Sequence, residues 1–494
     1  MNNAAHGSAP PAQLKAADLK EPFFSEHRRN AGIAVVLAAM VLVVIDVAIL
    51  NIALPNMART LHTTAAMSVR IITAYQMGLM IALLPCAALG ESYGFRRVFT
   101  VGVALFTTAS ALCALSPNLS WLIAACFLQG LGGAAVMALS VALLRVIVPE
   151  RQLGAAIGWN ALTVALANAA GPTIGAAILS RAGWPWLFAI NVPLGVAVLL
   201  TSRALPSVAG SGRRLDVVSV ALNSAGFTAL LVGVEISPTR PLLATTLLAT
   251  ATLALTALVR REIRSVAPLI PIDLLRDQTF RSSVIASICC FAAQMMGLVA
   301  VPFYLQHGLG QGALATGLYL TPWPLGLAFA APVAGRLVNR LSTRTLCALG
   351  SACLLSGLLA ASLCSLQNEM WLLIPITSLC GLGGGLFQVP NNRIMFLSAP
   401  SKRSGAAGGM QATARLLGQI SGAVMMTMLF RSLPADEAPR VGLAVAAALA
   451  FTAGVASMVP ARSTLTYPAT LHLAAWVRNH SEPPQRFGRR AKKD

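Results

Sequence analysis

Asp46 is the one acidic residue well inside a long apolar stretch of this chain. The stretch begins near residue 31, so Asp46 lies about 22 Å along a helix rising 1.5 Å per residue. A carboxylate at such depth in a bilayer costs about 2.5–3.5 kcal/mol on insertion scales, and it therefore faces a cavity or a partner. Desolvation disfavours its charged form, which is the condition for exchanging a proton at cellular pH. The competing role is a structural carboxylate bonded to a neighbouring helix. Two cations lie in comparable stretches. Arg415 is a counter-charge, a ligand for an anionic substrate group, or a brace on backbone carbonyls. Arg70 lies near the end of its stretch, where its head group can snorkel to the lipid surface. Uncharged polar residues complete the inventory: Asn51, Gln76, Gln129, Asn160, Asn168, Gln294 and Gln388, with the aromatic rings of Tyr75, Phe127, Phe291, Phe303, Tyr304 and Trp323. Such groups line a cavity or hold helices together by hydrogen bonds. Asn51, Tyr75, Gln76, Gln129, Asn168, Gln294, Gln388 and Arg415 are the candidates for lining a substrate cavity.

Several chemistries have no residues to carry them. No G-K-[ST] triplet occurs, so the phosphate-binding loop of an ATP-driven pump is missing. The six histidines lie in tails and loops without H-E-x-x-H spacing. The nine cysteines are scattered through apolar sequence with no metal or disulfide spacing. The sequence thus predicts no enzyme and no cofactor.

The elements that must position these residues are membrane helices. Of 494 residues 56% are hydrophobic and 11% charged, where soluble domains carry about 25% charged residues. The apolar residues come in runs of about 20, the length that crosses a bilayer. Fourteen runs are read: 31–54, 68–89, 97–116, 120–146, 153–179, 186–203, 216–235, 241–260, 283–306, 313–336, 345–366, 371–392, 404–430 and 440–460. With both termini cytoplasmic, the inside segments collect 29 Lys and Arg and the outside segments 5, the positive-inside bias. The net charge of +20 belongs to those loops and tails rather than to a nucleic-acid surface. Residues 1–30 read as a disordered cytoplasmic tail without a signal-peptide pattern, and 461–494 as a basic cytoplasmic tail.

An internal repeat divides the rest. Residues 130–133 and 381–384 both read GLGG, and at the same offset of 251 Pro149 matches Pro400, Gly154 matches Gly405, and Gly158 matches Gly409. The repeat predicts two parallel six-helix halves, 31–203 and 282–460, joined by a linker, 204–281, that carries two inserted helices. Parallel halves around a central site are a transporter architecture. A channel or receptor has no such repeat as a rule.

These features resemble the major facilitator superfamily, and within it the fourteen-helix drug:proton antiporter branch. Residues 45–55, IDVAILNIALP, resemble the branch's first-helix motif at Asp46, Asn51 and Pro55. The loop near residue 90 is similar to the signature G-x-L-A-D-R-x-G-R-K, with Leu89, Glu91, Gly94 and Arg96 fitting and Ala87, Ser92 and Phe95 departing. A weaker copy, GRLVNRLSTR, occupies 335–344. Gly158, Gly171, Pro172 and Gly175 resemble the antiporter motif, with Ala167 in place of a Gly, and WPWLFAINVPLG at 184–195 resembles the branch's next junction. The branch carries an Arg three residues before Gln129-Gly130; here Cys126 stands there, and Arg70 at similar depth is a candidate replacement.

The resemblance implies an all-α fold and secondary active efflux by alternating access, driven by the proton gradient. It implies Asp46 as the proton-coupling residue, and Glu91, Gly94, Arg96, Arg97, Gly158, Gly171, Pro172 and Gly175 as gate and packing residues. The expected partners are protons, the lipid bilayer and a lipophilic or cationic small molecule. The expected protein is a monomer of the bacterial inner membrane, with a periplasmic adaptor as an open alternative. An exporter or permease for a metabolite, siderophore or lipid is the competing reading.

Overall fold

The computed structural model describes residues 26–207, 216–236, 240–263, 272–338, 340–364, 370–398, 404–434 and 436–459. The expected disorder of both tails and the loop segments between these ranges lie outside the described residues. Sixteen α-helices follow one another, and among the described residues there is no strand. In hydrocarbon a backbone must satisfy its hydrogen bonds within the segment, and only helices or closed barrels do so.

The first part of the chain forms α1 (Glu26–Thr60), α2 (Ala65–Tyr93), α3 (Phe95–Ala114), α4 (Leu119–Ile147), α5 (Glu150–Arg181), α6 (Pro185–Ala189) and α7 (Asn191–Thr201). The middle forms α8 (Val217–Ile236) and α9 (Pro241–Ile263). The last part forms α10 (Gln278–Phe303), α11 (Ala313–Leu320), α12 (Pro322–Leu337), α13 (Thr343–Leu363), α14 (Leu373–Ser398), α15 (Ser404–Ser432) and α16 (Ala438–Met458). Side-chain caps start several of them. Thr64, Asn118, Asp277 and Ser342 each accept the backbone N–H three residues on, at 2.7–3.2 Å.

Among the described residues twelve segments are long and apolar enough to cross a membrane. Two of the fourteen expected runs are not among them. Run 313–336 is split at Thr321 into α11 and α12, of 8 and 16 residues, where Pro322 begins a new helix. Run 404–430 forms the 29-residue α15, whose Gln411, Thr413, Arg415, Gln419 and Ser421 make it less apolar.

The repeat is visible in the packing. Gly130 of α4 rests on the Tyr75 carbonyl and Leu79 N of α2, and Gly381 of α14 rests in the same way on Trp323 and Leu327 of α12. Gly132 meets Gly102 and Phe106 of α3, as Gly383 meets Gly350 and Leu354 of α13. The offset is 251 on α4 and α14 and 248 on their partners. Glycine lets these backbones approach where any side chain would collide. Gly94, in the motif loop, serves otherwise: at φ 100° it turns α2 into α3, a conformation L side chains rarely adopt.

Helices α8 and α9 pair chiefly with each other, and their spans are 29% and 17% buried, among the least enclosed of the twelve. Asn223 anchors α8 to α2 by donating to the Ile81 carbonyl at 3.2 Å. Asp216 accepts a two-point bond from Arg261 at 2.8 and 2.9 Å, tying the start of α8 to the end of α9.

Candidate functional site

Asp46 sits in the 35-residue α1 and is only 4% exposed. Its Oδ1 accepts two amide bonds, from Gln129 Nε2 on α4 at 3.1 Å and from Asn191 Nδ2 on α7 at 2.5 Å. Gln129 Nε2 also donates to Ser110 Oγ on α3 at 2.8 Å. Four helices thus converge on one carboxylate. A fifth, α2, brings Tyr75, whose hydroxyl lies beside Gly133 and close enough to Asp46 to interact electrostatically. Cys126, at the position where the resemblance implies an Arg, stands beside the cluster with its Sγ 3.6 Å from Cys113 Sγ. Within this cluster three buried oxygens have no hydrogen-bond partner among the described residues: Asp46 Oδ2, Gln129 Oε1 and Tyr75 Oη.

A proton on Asp46 would change what this cluster can do. The carboxylate is an acceptor only, and both amides point donors at it. The neutral acid gains a donor, for which Gln129 Oε1 and Tyr75 Oη are buried acceptors without a bond. Arg70 is not among the groups bonded to Asp46.

The other half holds no copy of this cluster. Gly133 lies by Val43 and Gly384 by Gln294, so α1 and α10 also correspond at 251. Asp46, Tyr75, Ser110 and Gln129 then map to Gly297, Trp323, Leu358 and Cys380. A Cβ on Gly297 would meet the Trp323 ring at 2.6 Å and Leu358 at 2.9 Å. Apolar side chains fill the space that the carboxylate takes in the first half.

The remaining candidates are dispersed. Gln294 accepts from Gln388 at 3.3 Å and donates to Cys290 Sγ at 3.3 Å. Gln76 reaches from α2 to Met295 Sδ at 3.7 Å, across the two halves. Asn51 and Asn168 return to their own helix, at Val47 and Val164. Gly171 and Gly175 seat α5 against Ala48 and Ile49 of α1, with Pro172 buried between them. Glu91 and Arg97 are exposed at the turn around Gly94, and Arg96 is half-buried. Gly158 lies in α5. Arg415 has a buried Nε without a bond.

Sequence reasoning missed several residues. Asn191 and Ser110 complete the Asp46 cluster; an Asn in the 184–195 motif was the available signal, whereas Ser110 gave none. A second group links α1 to the turn after α10, and α5 to Thr321. Arg59 donates to Gln306 Oε1 at 3.4 Å, Gln306 donates to the Ile52 carbonyl at 3.2 Å, and Thr173 bonds Thr321 at 2.7 Å. Gln306 sits in a π-helical turn, Tyr304–Gly308, just after Pro302. Such turns are frequent at functional sites. Arg440 braces it, 2.9 Å from Tyr304 Oη.

Comparison with known proteins is consistent with this architecture. The chain is 42% identical over 440 residues to an uncharacterized transporter, YebQ, of Escherichia coli, covering 87% of this chain and 95% of that one. It is 30% identical to the tetracenomycin C resistance and export protein of Streptomyces glaucescens, covering 86% and 82%. It is 29% identical to the riboflavin transporter RibZ of Clostridioides difficile, covering 78% and 85%. The Major Facilitator Superfamily profile matches residues 36–423, and this multi-pass membrane chain, a transporter and not an enzyme, belongs to that superfamily.

Proposed function

We propose that the protein is a proton-coupled exporter of amphipathic small molecules, working by alternating access with Asp46 as the coupling group. The observation that carries this is the Asp46 cluster. An ionisable group buried within membrane helices is costly and marks ion or proton pathways by default. Here it is held by donors from two other helices, has an unbonded second oxygen, and has no counterpart in the second half. Protonation acts through the packing of α1, α2 and α4 and not by direct competition at one carboxylate, because Asp46 is enclosed. The Gln306 and Thr173–Thr321 contacts belong to the outer gate, which must part to release substrate.

In this reading α11–α12 and α15 are the thirteenth and fourteenth crossings. An even count keeps both termini cytoplasmic, in line with the basic bias, and fits the drug:proton antiporter branch. The tetracenomycin C relative supports export of a toxic compound. The riboflavin transporter supports a second reading, a carrier dedicated to one metabolite.

The test uses purified protein in liposomes with an imposed pH gradient. One unit of pH is worth about 1.36 kcal/mol per proton, so each proton exchanged supports about a tenfold substrate gradient. Substrate movement indifferent to the pH gradient, at fixed membrane potential, would remove the coupling claim.

A further inference from the structure

The coupling account leaves the interior charge of Arg415 unused. Arg415 stands eleven residues into α15, about 17 Å from its start. That helix packs against α10 of its own half and α2 of the other. Gly418 and Gly422 draw it onto the α10 backbone at Ile288 and Ala292, while Gly409 approaches Leu84 of α2. Arg415 therefore lies in the seam between the halves, where alternating access exposes a central site.

A guanidinium does not deprotonate in proteins. Among the described residues Arg415 has no hydrogen bond and no acidic partner, and its Nε is closed off from solvent. The brace on backbone carbonyls, which would relieve the charge, is not made. Asp46 does not relieve it either, since the acid spends its bonds on Gln129 and Asn191. An interior charge without a counter-ion is costly, even where only part of its head group is closed off from solvent. Yet the residue keeps partial exposure, so a ligand can reach it. The guanidinium fork matches a carboxylate, phosphate or sulfonate at two points. The Gln294–Gln388 amide pair lies on neighbouring helices, α10 and α14, and Phe291 lies against Gly418. Polar hydrogen bonding and apolar surface are thus both at hand.

We propose that the transported molecule carries an acidic group and that Arg415 binds it. This rests on the transporter reading and replaces the expectation of a cationic substrate, which the guanidinium would repel. The substrate class is an amphipathic organic acid.

The test measures binding by the full chain in lipid nanodiscs. The probes share one aromatic body: 2-naphthoate, its amide and the corresponding ammonium, with inorganic sulfate as a fourth arm. The expected result is at least tenfold preference for the acid over the amide and the ammonium. That preference should disappear in Arg415→Gln, survive in part in Arg415→Lys, and persist in Asp46→Asn. No preference in the unaltered protein, or undiminished preference in Arg415→Gln, overturns the proposal. Sulfate binding as tightly as the naphthoate also overturns it, by making this an inorganic-anion site. If Arg415→Gln fails to fold, Arg415→Lys, which keeps the charge, decides the matter: an undiminished preference for the acid there, with the two-point guanidinium fork lost, overturns the proposal. Coupling is read separately: pH-driven transport that survives Asp46→Asn defeats the coupling claim and leaves the charge preference standing.

Discussion

Replacing Asp46 with Asn separates the proton from the fold. The asparagine can present Oδ1 to both Gln129 and Asn191 and place its NH2 where Oδ2 has no partner. Hydrogen bonds to a charged acceptor are worth about 1.5–3 kcal/mol and neutral ones about 0.5–1.5. The exchange therefore loses about 1 kcal/mol at each of two bonds, and relief of the buried charge offsets part of it. The variant should insert and fold, with a net cost within about 2 kcal/mol. Its transport should change in kind. In liposomes with one unit of pH imposed, the unaltered protein should build about a tenfold gradient of substrate per proton exchanged. The variant should only equilibrate substrate across the membrane. A fluorescent amphipathic acid reports this, with protein amount checked by gel filtration. A tenfold, pH-driven gradient in Asp46→Asn would refute the assignment and send the coupling proton elsewhere.

Gln306→Leu removes both hydrogen bonds that the π turn makes to α1, worth about 1–2 kcal/mol together. Labels on α1 and α10 should report a roughly 5- to 30-fold shift toward opening at that end; an unchanged distance distribution would exclude a gate there. Gly130→Leu drives a side chain into the Tyr75 carbonyl, and Gly381→Leu does the same at Trp323. Overpacking of this kind costs about 1–3 kcal/mol or more. Both should lower the melting temperature, and Gly335→Leu, which has open space, should not. Asp216→Asn breaks the tie to Arg261. That bond, with the two that Ser219 donates from its backbone N–H and its hydroxyl, holds the Asp216 carboxyl well below its ordinary value. A depressed acid stabilises above its unfolded pKa of about 3.9, and the gain fades as pH falls toward the folded value. The pair is half-exposed, so about 0.5 kcal/mol is expected. Hydrogen exchange at the ends of α8 and α9 should quicken in the variant at pH 7, and the difference from the parent should shrink progressively as pH falls below about 4.

Much of this was legible because membrane constraints act locally. Run length and loop charge outlined the helices, and the GLGG repeat located the glycine contacts that join α2 to α4 and α12 to α14. Asp46 announced itself by type and depth. Its partners did not. Asn191 and Ser110 are polar residues in apolar helices, and which of them meet depends on how helices rotate against one another, a tertiary property. The split of run 313–336 at Thr321 and the π turn after Pro302 depend on local backbone choices that hydropathy does not register. Gln306 lies at the end of an apolar run, where a polar side chain is commonplace in sequence; the approach of α1 gives it two partners.

The most direct test of the account compares small molecules retained by cells that carry the protein, lack it, or carry Asp46→Asn. The account predicts a small set of amphipathic compounds that accumulate without the protein, fall only to the external concentration with the variant, and fall below it when the unaltered protein is restored. Depletion of those compounds in cells lacking the protein would make it an importer and contradict the account.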